Sequence, residues 1–390
     1  MRSWSSFALF FSIVVAIIGG VHYYLFSRLV RAPGLEAWQR PGGIVFLLGA
    51  ILLPLGMLAS RVLPRAIASV IASVAYVWMG LVVLLFFLTL GSEVIRVGAS
   101  ILSGLNVVPL DDGRRLFLSR VLAGTVGVLG AGLGIRGYLS ARGAVGVKKV
   151  EVGLTRLPEA LGGFKIAQLS DLHIGPTLGR EWLTDVVART NALEPDIVAI
   201  TGDLVDGSVS ELGEHVAPLG DLRAKHGVYF VTGNHEYYSG VDAWIARLRE
   251  LGVRVLRNER VSIGDGDASF DLAGIDDYRA KDFGNGHGAD LDKAIAGRDP
   301  ARELVLLAHQ PKAALEAATK GVGLQLSGHT HGGQIFPWGF FVRLDQHFVA
   351  GLDKVGDLLL YTSSGTGYWG PPMRVGAPPE ITLLQLSRIG

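Results

Sequence analysis

The 390-residue sequence contains no cysteine. That absence excludes disulfides, thiolate nucleophiles and cysteine-ligated zinc or iron–sulfur sites, and it leaves the compartment open. Charge is also scarce: Asp, Glu, Lys and Arg make up 18% of the chain and nearly cancel, to a net +1. No long Lys/Arg stripe of the kind that tracks a phosphate backbone is present, so nucleic acid is not an expected partner. Internal repeats and low-complexity tails are missing as well. What remains is apolar, with 49% hydrophobic residues and a positive mean hydropathy, too much for a purely soluble protein.

The apolar excess is concentrated near the N-terminus. Residues 3–27, 41–60 and 66–92 carry no Asp, Glu, Lys or Arg, and each is long enough to cross about 30 Å of hydrocarbon as a helix. A fourth candidate span, residues 121–135, is glycine-rich and bracketed by Arg120 and Arg136, which would have to snorkel. Residues 1–6 hold only Arg2 as a basic residue and two more spans follow, so the first segment reads as a retained anchor rather than a signal peptide. His22, beside Tyr23 and Tyr24, is expected at the membrane interface. The 53 glycines suit close helix contacts and tight loops. Residues 1–141 thus form a multi-span helical membrane domain of about four spans.

From residue 142 onward short apolar runs alternate with amphipathic stretches, the pattern of an α/β domain over 142–390. "RGAVGVKKVEV" reads as a connector into the first strand, and "REWLTDVVARTNAL" and "DAWIARLREL" as amphipathic helices, the second stopped by Gly252. Five segments share one device. "FKIAQLSDLH", "DIVAITGD", "GVYFVTGNHE", "ELVLLAHQ" and "LQLSGHTH" each run apolar and then end in Asp, Asn or His. Buried parallel strands read as continuous apolar runs, and ligand sites form beyond their carboxyl ends, so these five ends should meet. They would pool Asp171, His173, Asp203, Asn234, His235, His309, His329 and His331, oxygen and imidazole donors without sulfur. That set suits divalent metal and exceeds what one tetrahedral ion takes, so two ions are expected. Any one motif is more often a turn or a satisfied polar group; five together reverse that reading. His215, His226, His287 and His347 lack the strand-end context and read as surface or loop residues.

The ordered set "DLH", "GDLVD", "GNHE", "AHQP" and "GHTHGGQ" resembles the calcineurin-like metallophosphoesterase superfamily, and the closing "YTSSGTGYWGPPMRVGAPPEITLL" is similar to its bacterial membrane-associated branch. The multi-span front end resembles transmembrane proteins with a metallophosphoesterase domain. The resemblance implies a four-layer α/β/β/α sandwich. It implies one divalent ion on Asp171, His173 and His331, a second on Asn234, His309 and His329, and Asp203 between them. It also implies catalytic roles for His235, which would face the phosphoryl group and assist the leaving oxygen, and for Asp206, its partner carboxylate. Glu236 and Arg374 are weaker candidates, for support of the ligands and for anion contact.

The expected function is a membrane-anchored, metal-dependent phosphoric ester hydrolase with two ions of manganese, iron or zinc. Its substrate would be a phosphomonoester, phosphodiester or pyrophosphate, and anchoring favours one that is lipid-linked or part of the cell envelope. A metal-binding regulatory or scaffold protein with little turnover is the alternative, but it should have lost a ligand to an apolar residue. A transporter should carry ionisable or broken spans. "FPWGFFV" and "GTGYWGPPM" read either as an apolar rim for a lipid tail or as ordinary packing. With the N-terminus inside, Arg2, Arg61, Arg65, Arg136 and Arg142 lie on the catalytic side against Arg28, Arg31, Arg40, Arg96, Arg114 and Arg115 opposite, which favours the reverse orientation and a catalytic domain outside the cytoplasm. Residues 97–110, if they dip into the bilayer, would change that parity.

Overall fold

The computed structural model describes residues 4–107, 111–266, 268–284 and 286–390. Ser3, where the first expected span starts, Arg2 of the charge tally and residues 108–110 lie outside the described residues. The chain forms two compact units, residues 1–139 with Gly370–Met373, and residues 140–369 with 374–390.

Among the described residues, four helices are long and apolar enough to cross a membrane: α1 (Trp4–Phe26), α2 (Glu36–Val62), α3 (Arg65–Gly104) and α4 (Asp112–Arg142). Helix α3 continues past the expected end at residue 92 for 40 residues in all, about 60 Å at 1.5 Å per residue. That is twice a hydrocarbon core, and Glu93 and Arg96 fall on the extra turns. Glu93 pairs with Arg28 at 2.9 Å, while Arg96 donates to Ser119 Oγ at 2.8 Å, which ties α3 to α4. Arg120 donates to the Pro33 carbonyl at 3.0 Å. His22 departs from the interfacial expectation. It is buried, accepts from Trp78 Nε1 at 2.9 Å and bonds the Ile18 carbonyl at 2.7 Å, because a buried imidazole must satisfy both ring nitrogens.

The second unit contains two six-stranded sheets. In the first, β1 (Gly146–Leu154), β2 (Lys165–Leu169), β3 (Ile197–Ile200), β4 (Val228–Phe230), β5 (Arg254–Val255) and β12 (Glu380–Arg388) take the order β1-β12-β2-β3-β4-β5. In the second, β6 (Glu259–Asp265), β7 (Ala268–Gly274), β8 (Leu304–Leu307), β9 (Leu324–Ser327), β10 (Gly351–Val355) and β11 (Leu358–Thr362) take the order β10-β11-β9-β8-β7-β6. Strands β2, β3 and β4 run parallel, as do β7, β8 and β9. The "GVKKVEV" segment read as part of a connector is itself strand, paired in parallel with β12. Its partner lies some 230 residues away, out of reach of a local reading.

Strand period two accounts for the layering. Ile197 and Ala199 of β3 face the interior between the sheets, with Val305, Leu307, Leu324 and Leu326 opposite. Their neighbours Val198 and Ile200 face outward against Leu183 and Val186 of α5 (Arg180–Asn191), Leu212 of α6 (Val209–Val216), and Trp244 and Leu248 of α8 (Val241–Glu250). On the other side Leu304, Leu306 and Leu360 meet α9 (Leu291–Ile295) and α10 (Ala314–Ala317). The short helices α7 (Asn234–Ser239) and α11 (Gly339–Gln346) follow site loops. The order of layers is α/β/β/α.

Candidate metal centre

The five strand ends come from both sheets and converge. Asp171 and His173 follow β2, Asp203 follows β3, Asn234 and His235 follow β4, His309 follows β8, and His329 and His331 follow β9. Asp171, His173 and His331 form one group of mutually close ligand atoms, and Asp203, His309 and His329 another. His173 also groups with Asp203 and His235. Seven of the expected residues, Asp171, His173, Asp203, His235, His309, His329 and His331, are linked through shared members of these groups, while Asn234 and Asp206 are not among them. His215, His226, His287 and His347 lie outside these groups; His226, for example, stacks on Phe164.

The backbone here is unusual. Five of the seven expected ligands, Asp171, His173, Asp203, His329 and His331, have φ between 46 and 70°. Non-glycine residues rarely adopt this left-handed region, and it persists only where surrounding structure over-determines it. Each left-handed residue turns the chain sharply off a strand end, which lets consecutive loop side chains converge. Two glycines permit the close approach. A Cβ on Gly328 would overlap Ser170 Oγ and Asp171 Oδ2, and one on Gly233 would overlap the Asp203 carboxylate.

The hydrogen bonds determine which ring nitrogens keep a lone pair. His309 Nδ1 donates to the Thr201 carbonyl at 2.7 Å, leaving Nε2 aimed at Asp203 Oδ2 at 3.1 Å. His173 Nδ1 donates to Asp206 at 3.2 Å, leaving Nε2 for the centre. Two imidazole pairs then meet nitrogen to nitrogen, His173 Nε2 with His331 Nε2 at 3.1 Å and His309 Nε2 with His329 Nδ1 at 3.2 Å. Burial and the nearby His309 push His329 down to about 3, and burial with the Arg374 and His173 charges holds His331 well below its ordinary value. Both are held toward the neutral form, with His329 Nδ1 and His331 Nε2 turned to the cluster. Although burial opposes it, His309 and His235 hold Asp203 well below the usual carboxylate range. Asn234 Oδ1 is buried with no hydrogen-bond partner. An orphaned amide oxygen, imidazoles that meet nitrogen to nitrogen and buried carboxylates are the donor set divalent cations satisfy, so the residues fit such ions.

His235 groups with His173 and Asp203 but lies farther from the Asp203 carboxylate than His309 does. Its Nδ1 donates to Asp206 Oδ1 at 2.5 Å and its Nε2 is 4.0 Å from Asp203 Oδ2. Burial works to lower its pKa, yet Asp203 and the hydrogen-bonded Asp206 push it up to about 9. Asp206 does more than expected, since it holds both His173 and His235. Glu236 accepts the backbone N–H groups of Asp203, Leu204 and Gly233, tying two of the loops together. Arg374 differs from the anion contact expected of it. It is buried, donates to the carbonyls of His331, Ser364 and Gly367 and lies 3.3 Å from His331 Nδ1, so it clamps the loops around the cluster.

A polar layer beneath the cluster went unread in the sequence. Gln168 Nε2 in the first sheet donates to the Ser327 carbonyl in the second and to Thr201 Oγ1, both at 2.9 Å. Its signal was a polar residue recurring near the ends of otherwise apolar strands. A sixth strand end, Asp276 and Asp277 after β7, was also missed. Asp277 accepts from Gln310 Nε2 at 2.9 Å, and "FDLAGIDD" carries the same apolar-to-acid ending as the other five.

A two-sheet sandwich whose strand ends gather imidazoles, carboxylates and an amide defines a metallophosphoesterase-class scaffold. The family described as calcineurin-like phosphoesterase matches residues 164–333. An uncharacterized metallophosphoesterase of Aquifex aeolicus is 36% identical over 247 residues, which cover 63% of this chain and 92% of that protein. The chain belongs to the calcineurin-like phosphoesterase family. It is also similar to proteins named transmembrane protein with metallophosphoesterase domain, 45% identical to that of Bos taurus and 40% to that of Danio rerio. Those matches cover 73% and 67% of this chain, and the chain spans just under two thirds of each relative, 66% and 62%.

Proposed function

We propose that the chain is a membrane-anchored phosphoesterase with a dinuclear centre, in which residues 1–141 anchor and residues 142–390 catalyse. The observation that carries this reading is the meeting of buried imidazole lone pairs from both sheets around Asp203. Asp171, His173 and His331 would hold one cation, Asn234, His309 and His329 the other, and Asp203 both. Bound there, divalent ions would supply positive charge for the phosphoryl oxygens and a more acidic water as nucleophile. The remaining work falls to side chains. Asp206 keeps the proton on His235 Nδ1 and favours the cation, so His235 Nε2–H can donate to the leaving oxygen.

The donor set predicts the metal response. Chelator-treated protein is expected to lose hydrolysis of a generic aryl phosphate ester and to regain it with manganese, iron or zinc but not with calcium, which prefers six to eight oxygen ligands. Reactivation by calcium alone would contradict the ligand assignment.

Similarity to proteins named as transmembrane, together with four helices of sufficient length, supports a multi-pass anchor. The arginine distribution supports a catalytic domain outside the cytoplasm. An alkaline phosphatase reporter fused after Gly390 should then be active in a bacterial host. A dark phosphatase fusion with a fluorescent cytoplasm-dependent reporter at the same point would reverse the orientation. Anchoring supports a lipid-linked or cell-envelope phosphate ester as substrate.

A further inference from the structure

The segment following the His331 loop carries five exposed large apolar side chains within nine residues. Phe336, Phe340 and Leu344 are 63%, 66% and 80% exposed, with Trp338 and Phe341 at about half. Four of them pair, the rings of Phe336 and Phe340 lying 5.9 Å apart and those of Trp338 and Phe341 5.3 Å apart, and all five fall on one turn and the short helix α11 that follows it. The next group of exposed rings among the described residues of this unit, Tyr238 with Phe283 at 5.4 Å, is smaller. A contiguous apolar patch marks an interaction surface, and Trp and Phe beside an exposed arginine, here Arg343, have the composition of an interfacial segment in which rings enter the headgroup region and a cation meets lipid phosphate.

The patch is continuous with the candidate centre. Gln334, three residues after His331, exchanges two hydrogen bonds with the Trp369 backbone, at 2.9 and 3.1 Å, and the Trp369 ring lies 5.6 Å from that of His235. Only residues 143–145 separate α4 from β1, so an anchor formed by α1 to α4, as proposed above, would keep this unit tethered next to a bilayer. The geometry points to residues 336–344 as a bilayer-contact surface that seats the mouth of the centre at the headgroup level, where the ligand selected is a phosphate ester carried by a lipid. The substrate class rests on the phosphoesterase reading; the bilayer contact does not.

The cysteine-free sequence makes the test direct. Phe340→Cys, Leu344→Cys and, as a third site should either fold poorly, Phe336→Cys are each labelled with a nitrobenzoxadiazole dye in the full chain. The labelled proteins are reconstituted in vesicles of phosphatidylcholine and phosphatidylglycerol. The expected result is blue-shifted emission, quenched by lipids bearing a shallow nitroxide and little affected by iodide in the water. Water-like emission quenched by iodide would overturn the inference. So would a dye shielded from both quenchers, which would mark a contact between copies of the chain. Turnover of para-nitrophenyl phosphate by unsubstituted protein in the same vesicles tests the enzyme reading separately. A dye in the lipid with no turnover would refute the phosphoesterase and keep the contact, whereas turnover with a dye in water would do the reverse.

Discussion

Asp203→Asn is expected to reduce turnover by on the order of 1,000-fold or more, equivalent to about 4 kcal/mol of transition-state stabilisation. In the proposed centre the carboxylate is the one group that both ligand sets would share. Its Oδ2 lies 3.1 Å from His309 Nε2 and 3.8 Å from His173 Nε2, on opposite sides of the cluster. Asparagine removes the charge and nearly keeps the shape, and its Oδ1 can still accept the His235 backbone N–H that Asp203 Oδ1 takes at 2.9 Å. Folding and membrane insertion should therefore survive while at least one ion is lost. The check is metal content alongside hydrolysis of an aryl phosphate ester. Full activity with two metals per chain would defeat the assignment.

His235→Asn should separate proton transfer from metal binding. The seven expected ligands remain, so both ions should stay bound. The defect should depend on the leaving group. An alkoxide needs a proton, and losing a positioned acid costs about 100- to 10,000-fold, whereas a nitrophenolate leaves as a stable anion and should suffer much less. Wild type and variant are compared on alkyl and aryl esters of the same phosphoryl group, with metal measured in each preparation. Equal losses on both esters would make His235 a phosphoryl-binding group, and loss of metal would make it a ligand or a support.

Much of the fold was legible because burial on both faces leaves a mark. Strands β3 and β8 are apolar without interruption, β2 and β9 nearly so, and each is followed within a few residues by the polar group it delivers. The helices α5 and α8 showed their own periodicity. Less legible were features that depend on partners distant in the chain. Strand β1 looked like a linker because its exposed lysines break the apolar run, and only β12 makes it a strand. Gln168 and Thr201 stood out only as isolated polar residues beside apolar ones; their bond to each other needs β2 and β3 side by side, and the bond from Gln168 to the Ser327 carbonyl exists only once the sheets stack.

By itself the sequence determined the class of chemistry: sulfur-free donors at strand ends, a strongly apolar first third, and a charge balance without a nucleic-acid stripe. Those properties are local, carried by residue type and period. The tertiary structure alone decided the disposition of each side chain. It bent five ligand residues into left-handed backbone, shared Asp206 between two imidazoles, and turned Arg374 inward onto carbonyls. It also left Phe336, Phe340 and Leu344 outside while burying Tyr368 and Met373. The physical reason is that lone-pair direction, burial and the pairing of charges are set by neighbours brought together from both sheets, which no spacing along the chain encodes.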